Sequence, residues 1–218
     1  EGIPILSPDI NEAEVGFSVR GGEIRYGLSA VKGVGRSAAE SILEERKKGK
    51  FKNFEDFVVR MSAAGINRRA MESFIYAGAL DGLGGNRREK LVMLSEVLED
   101  LQRGKKGVIP GQMSLSDLFE EGAEERKDFE LLFPDLEEFS KAELLRNEKE
   151  ALGVYLSGHP LDSDKALLRM LCTRKARDFS EEAQANQKED GIRDEETCVV
   201  GGLLIGINKR ITKKNDMM

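Results

Sequence analysis

The feature that most constrains the fold is a break between two helical segments at Gly33-Val34-Gly35. Leu28 and Val31 precede the break, and apolar residues with helical spacing follow it at Ala38, Ala39, Ile42 and Leu43. Because glycine adopts backbone angles that side chains forbid, two glycines around one valine predict a tight turn between two closely packed helices. We expect Val34 to fill the gap between them.

A turn of this kind can hold an anion without any side chain. The first N–H groups of the second helix have no partner within the helix, and the helix dipole adds partial positive charge there. Lys32 and Arg36 flank the turn, and Ser37 can cap the helix or donate its hydroxyl group. The alternative is a plain turn between two helices that binds nothing.

The pattern resembles the helix-hairpin-helix motif, and the basic residues after the second helix strengthen the resemblance. It implies binding of the DNA backbone through main-chain amides, without sequence specificity. Such motifs usually occur in pairs, and the second half here follows residue 65, with Leu80 where the second glycine is expected. This half either closes the core or adds arginines to the DNA-binding surface. The candidate residues are Lys32, Gly33, Val34, Gly35, Arg36, Ser37, Lys50, Lys52, Arg68, Arg69, Arg87 and Arg88.

Composition favours compact helical pieces joined by solvated segments. Of 218 residues, 39% are hydrophobic and 34% charged, and tryptophan is absent. Cations exceed acids over residues 20–107, whereas acids exceed cations over 108–160. The two blocks either have different partners or, as charge alone favours, are ordinary solvated faces. Two cysteines form no disulfide framework, and no apolar run approaches the ~18 residues of a membrane span. We therefore expect a cytoplasmic protein without a membrane partner.

The predicted secondary structure is mainly α. Alternating residues around Gly21-Gly22 predict a β-hairpin. Helices are predicted over residues 37–48, 54–61, 67–77, 86–103, 136–155 and 163–171, with Asn53, Asn67 and Asn86 at their starts. A buried strand is predicted over residues 198–211.

Four segments, "PDINEAEVGFSV", "IRYGLSAVKGVG", "FIYAGALDGLG" and "EKEALGVYLSGHPLD", together resemble the alpha subunits of bacterial DNA polymerase III. The resemblance implies a C-terminal piece of such a subunit. Residues 1–19 would end the fingers domain and 20–107 would form the tandem helix-hairpin-helix domain. Residues 108–135 would be an acidic linker that binds the sliding clamp, 136–197 a helical connector, and 198–218 the truncated first strand of an OB domain.

The acidic linker contains "GQMSLSDLF", which is similar to the family's clamp-binding motif. Ser116 stands where that motif has phenylalanine. A segment that presents glutamine, methionine, leucine and phenylalanine is also a reasonable ligand for an apolar groove. The alternative is a linker whose apolar residues pack onto their own domain. The clamp-binding candidates are Gln112, Met113, Ser114, Leu115, Leu118 and Phe119.

The resemblance implies no catalysis by this chain alone. The family's catalytic aspartates and their Mg²⁺ belong to a palm domain, and its metal-binding histidines to an N-terminal domain, neither of which is present here. His159 lies in a helix break and is predicted to be a packed corner residue rather than a metal ligand. Expected partners are double-stranded DNA, the sliding clamp (beta subunit) and other replisome subunits. The alternatives are an accessory DNA-binding region of a nuclease or repair enzyme, and a structural clamp adaptor.

Overall fold

The computed structural model describes residues 3–105, 133–179, 197–204 and 206. These residues contain six α-helices and one three-stranded sheet, so the mainly helical prediction is confirmed. The chain divides into two compact units, residues 1–157 and 158–218. Among the described residues, no helix has both the length and the apolar character needed to cross a membrane.

The sheet forms near the beginning of the first unit. Strands β2 (Ser18–Arg20) and β3 (Glu23–Arg25) form the predicted antiparallel hairpin around Gly21-Gly22. Strand β1 (Ile5–Leu6) adds to the other edge of β3 in parallel orientation. A 3-10 helix, Leu28–Ala30, then leads into the glycine turn.

Five helices complete the first unit: α1 (Arg36–Lys47), α2 (Phe54–Ala63), α3 (Arg68–Tyr76), α4 (Arg87–Lys105) and α5 (Lys141–Leu152). Asparagine side chains begin three of these helices as predicted, because Asn53, Asn67 and Asn86 each accept a backbone N–H of the first turn. The prediction of a helix over 136–155 is wrong at both ends. Ser140 forms a capping box with Glu143 that begins α5, and the left-handed Gly153 ends it.

One continuous core holds these helices together. Rings from α2 and α3 meet edge to face at its centre, with the Phe57 and Phe74 centroids 6.4 Å apart. Small and branched side chains of the glycine turn and of α1 join the same core. Its fully buried members include Leu28, Val31, Ala39, Ile42, Phe54, Met61, Met71, Ile75, Leu80, Met93 and Leu94.

Residues 133–139 form an extended segment, here called the strap, which lies over the start of α4. The Glu138 carboxylate accepts the N–H groups of Arg87 and Arg88 at 2.9 and 3.2 Å. The Phe133 ring lies against Gly84 and Gly85, where no side chain blocks it. The strap therefore caps α4 from a distant part of the sequence.

The second unit contains α6 (Lys165–Leu171) and a 3-10 helix, Ala176–Phe179. The strand predicted over 198–211 is absent from the described residues 198–204; the Val199 carbonyl instead accepts N–H groups of Thr173 and Arg174. A strand requires a neighbouring strand for its backbone hydrogen bonds, and the described residues offer none at this position. His159 is exposed in a turn, so its predicted packing is wrong.

The strap contact predicts different costs for two glycine substitutions with the same backbone strain. Gly21 and Gly85 have φ angles of 61° and 62°. A Cβ at Gly21 meets nothing within 4 Å, whereas one at Gly85 would lie 2.6 Å from the Phe133 ring. We expect Gly21→Ala to cost about 1–2 kcal/mol of unfolding free energy and Gly85→Ala clearly more, as measured by urea denaturation. Equal costs would show that the strap does not hold Phe133 against α4.

Candidate nucleic-acid interface

The glycine turn has the geometry that the sequence predicts. Gly33 has a φ of 82°, in the left-handed region, and a Cβ there would lie 3.2 Å from the Ser73 hydroxyl of α3. Val34 is buried between the flanking segments, and its N–H closes the turn on the Val31 carbonyl at 3.1 Å. Gly33 and Gly35 themselves are exposed. The turn thus buries its valine and presents its glycine backbone to solvent.

The start of α1 differs from the starts of the other four helices of the first unit. Its N-cap residue is Gly35, which has no side chain to accept a hydrogen bond. The N–H groups of Gly33, Gly35, Arg36 and Ser37 have no hydrogen-bond partner among the described residues. Side chains cap α2 to α5, as described above. The first turn of α1 therefore offers a group of exposed donors that can bind an anion.

Three exposed cations lie in the turn, in α1 and in the neighbouring helix α3. The Lys32 side chain is exposed, and Arg36 pairs with Glu40 at 2.8 Å, with 81% of the arginine side chain exposed. Such an exposed pair on a helix contributes only about 0.3–0.5 kcal/mol, so Arg36 can exchange Glu40 for another anion. Arg69 lies one turn before Ser73 on α3 and is exposed on the side that faces Gly33.

The turn also packs against the end of α5, a contact that sequence reasoning missed. The Lys32 N–H donates to the Ala151 carbonyl at 2.8 Å. The buried Tyr26 hydroxyl donates to the Leu152 carbonyl at 2.7 Å, and burial raises the pKa of Tyr26. The sequence predicted a helix over 136–155 but not where that helix docks. More than a hundred residues separate Lys32 and Tyr26 from the carbonyls that they contact, and no local pattern reports such a contact.

The second hairpin is closed by its own charges. The Arg87 side chain is 12% exposed and pairs with Asp81 through two nitrogens, at 3.0 and 2.7 Å. It also donates to the Tyr76 carbonyl, and its guanidinium fills the space beside Gly78. Burial alone would lower the pKa of Arg87, but the hydrogen bonds and charge of Asp81, together with the charges of Glu148 and Glu138, outweigh burial and raise that pKa. Arg87 therefore serves the core of this half rather than the surface.

The other predicted residues lie in several places. Arg68 donates to Glu72 and Ser95, and Arg88 is exposed next to the strap. Lys50 and Lys52 are exposed beyond the far end of α1, roughly 18 Å from the turn for a helix of this length. They lie too far away to contact the same phosphate as Lys32.

The predicted clamp-binding residues, 112–119, lie outside the described residues. Within the described ranges, no group of histidine, cysteine, aspartate and glutamate is arranged to hold a metal ion.

The sequence of the chain matches known families. Residues 2–90 match the family described as a helix-hairpin-helix motif, which defines the class of this part of the chain. The chain is 38% identical over 98% of its length to DNA polymerase III subunit alpha of Deinococcus radiodurans. It is 44% identical over 73% of its length to that of Thermus aquaticus, and 32% identical over 97% to that of Mycobacterium leprae.

The chain belongs to the family of DNA polymerase III alpha subunits. It spans 16%, 12% and 17% of the length of these three relatives, which is less than a fifth of each.

The closed second hairpin predicts that two neighbouring arginines have different roles. Arg87→Ala leaves Asp81 and the Tyr76 carbonyl without their partner, and we expect a loss of about 2–4 kcal/mol of unfolding free energy. Arg88→Ala removes an exposed side chain and should change stability by less than about 0.5 kcal/mol. Urea denaturation of both variants measures the difference. If the two lost the same stability, the buried role of Arg87 would be wrong.

Proposed function

We propose that the first unit binds the backbone of duplex DNA without sequence specificity, as part of a replicative DNA polymerase. The observation that carries the proposal is the uncapped start of α1, where several exposed N–H groups meet Lys32 and Arg36. A phosphate bound there accepts main-chain hydrogen bonds and needs no base contact. Such contacts position a protein on DNA but do not read its sequence.

The match to the helix-hairpin-helix family and the similarity to polymerase alpha subunits support this proposal. Binding through one hairpin should be weak and sensitive to salt, because few phosphates are neutralised. In the complete subunit, this unit would hold the duplex that leaves the active site. Catalysis and its Mg²⁺ would belong to other parts of that subunit.

The finer assignments of the remaining chain rest on the sequence. We propose that residues 112–119 bind the sliding clamp and that residues 198–218 contribute the first strand of an OB domain that binds single-stranded template. The clamp proposal predicts that Leu118→Ala/Phe119→Ala weakens capture of the chain by the immobilised clamp, while DNA binding is unchanged. Capture that both substitutions leave intact would favour a linker that packs on its own domain.

Charge reversal at the turn tests the DNA-binding proposal directly. We expect Lys32→Glu/Arg36→Glu to abolish binding of a short fluorescent duplex, measured by anisotropy at low salt, because the anion site acquires two negative charges. The matched control is Arg103→Glu/Lys141→Glu, which makes the same change in net charge at two exposed positions away from the turn. Equal binding by the two double variants would reject the hairpin as the site.

A single substitution at Lys32 tests whether the contact is with a phosphate or with a base. Lys32→Ala should weaken binding to all duplex sequences alike and should reduce the slope of log affinity against log salt by about 0.9. The salt titration is done with two duplexes of unrelated sequence. A loss confined to one of them would indicate base recognition instead.

A further inference from the structure

The end of α5 lies beside the glycine turn, although the helix-hairpin-helix match ends at residue 90. The Lys32 side chain runs along Gly153, with its Nζ 3.9 Å from where a Cβ of that residue would lie. The Lys32 N–H is bonded to the Ala151 carbonyl of the same helical turn. A DNA backbone that approaches the Lys32 side chain therefore also approaches the end of α5.

A second lysine, Lys149, lies in the last turns of α5. The Lys149 ammonium lies 5.1 Å from the centre of the Tyr155 ring, within the range of a cation–π contact. The Lys149 carbonyl accepts the Gly153 N–H at 2.9 Å, which places this lysine one helical turn from the contact with Lys32. One turn is about 5.4 Å, and a DNA strand carries a charge for about every 3.4 Å of axis. Both lysines can therefore meet the same strand.

The end of a helix normally repels an anion, because its last carbonyls carry partial negative charge. Here those carbonyls are bonded to donors of the protein. Gly153 donates to Lys149, the Lys32 N–H donates to Ala151, and the Tyr26 hydroxyl donates to Leu152. These hydrogen bonds reduce the repulsion at the end of α5.

The turn after α5 is also held in one conformation. Glu148 is 1% exposed, and its carboxylate accepts the N–H groups of Leu156 and Ser157 and the Ser157 hydroxyl. The Glu148 carboxylate therefore has its hydrogen-bond partners within the protein. Burial raises the pKa of Tyr76 in α3, and the negative charges of Glu72 and of the neighbouring Glu150 raise it further.

We propose that Lys149, oriented by Tyr155, is a second contact for the phosphate backbone of the duplex held at the glycine turn. The proposal rests on the proposed function. It extends the nucleic-acid interface from the hairpin to α5. Lys149 contributes a point charge to a phosphate, and the ring of Tyr155 fixes the position of that charge without needing to touch DNA.

Two lysines of α5 provide a matched test. Lys149 and Lys141 are both exposed and lie on the same helix, about 12 Å apart along its axis. For the whole chain, we expect Lys149→Ala to weaken binding of a short fluorescent duplex several-fold and to reduce the salt slope by about 0.9. Lys141→Ala should leave the slope unchanged. Equal slopes for the two variants would overturn the proposal.

Variants of Tyr155 test its positioning role. Tyr155→Phe keeps the aromatic face and should bind DNA like the unsubstituted chain, whereas Tyr155→Leu should bind more weakly. In a double-mutant cycle, Tyr155→Leu should add little to Lys149→Ala, because both act through the same ammonium group. Additive losses would show that Tyr155 does not act through Lys149. Thermal denaturation of each variant confirms that it is folded at the binding temperature.

The outcomes separate this proposal from the one on which it rests. If Lys32→Glu/Arg36→Glu abolishes binding while Lys149→Ala matches Lys141→Ala, the hairpin remains the site and the α5 contact is wrong. If the unsubstituted chain binds no duplex at low salt, both proposals fail. If Lys149→Ala and Lys32→Ala each lower the slope and their double variant lowers it by about twice as much, both are supported.

Discussion

The hairpin depends on two hydrogen bonds to the end of α5, from the Lys32 N–H to the Ala151 carbonyl and from the Tyr26 hydroxyl to the Leu152 carbonyl. Both join the glycine turn to the last turn of α5. A buried carbonyl that lost its donor would cost about 1–3 kcal/mol, so the contact with α5 stabilises the turn. The region that matches the helix-hairpin-helix family is therefore smaller than the unit that fixes the position of its exposed amides.

The two hairpins are built from similar sequences but satisfy their backbone differently. At the first, a glycine N-cap leaves the donors of α1 without partners among the described residues. At the second, Asp81 and Arg87 neutralise each other, and the Glu138 carboxylate caps α4. One half thus keeps exposed backbone donors, while the other uses comparable groups to stabilise the core. The two hairpins accordingly differ in the backbone donors that they leave exposed.

Local signals predicted many of the elements. Asparagine caps, the Gly21-Gly22 turn and the apolar spacing of α1 to α4 act over a few residues, and each of these elements lies close to its predicted bounds. The bounds of α5 were predicted wrongly, although Ser140 and Glu143 carry a capping-box signal that could have located its start. The strand over 198–211 was predicted from apolar character alone, which does not supply a pairing partner.

For the candidate site, the sequence by itself determined which groups exist: a turn rich in glycine, cations on both sides of it, and a helix start without a capping side chain. These follow from backbone angles and capping chemistry, which depend on near neighbours. Only the tertiary structure decided which groups remain available. Arg87 turned inward to Asp81 while Arg36 stayed exposed, and α5 docked against the turn, because such choices depend on contacts between residues far apart in the chain.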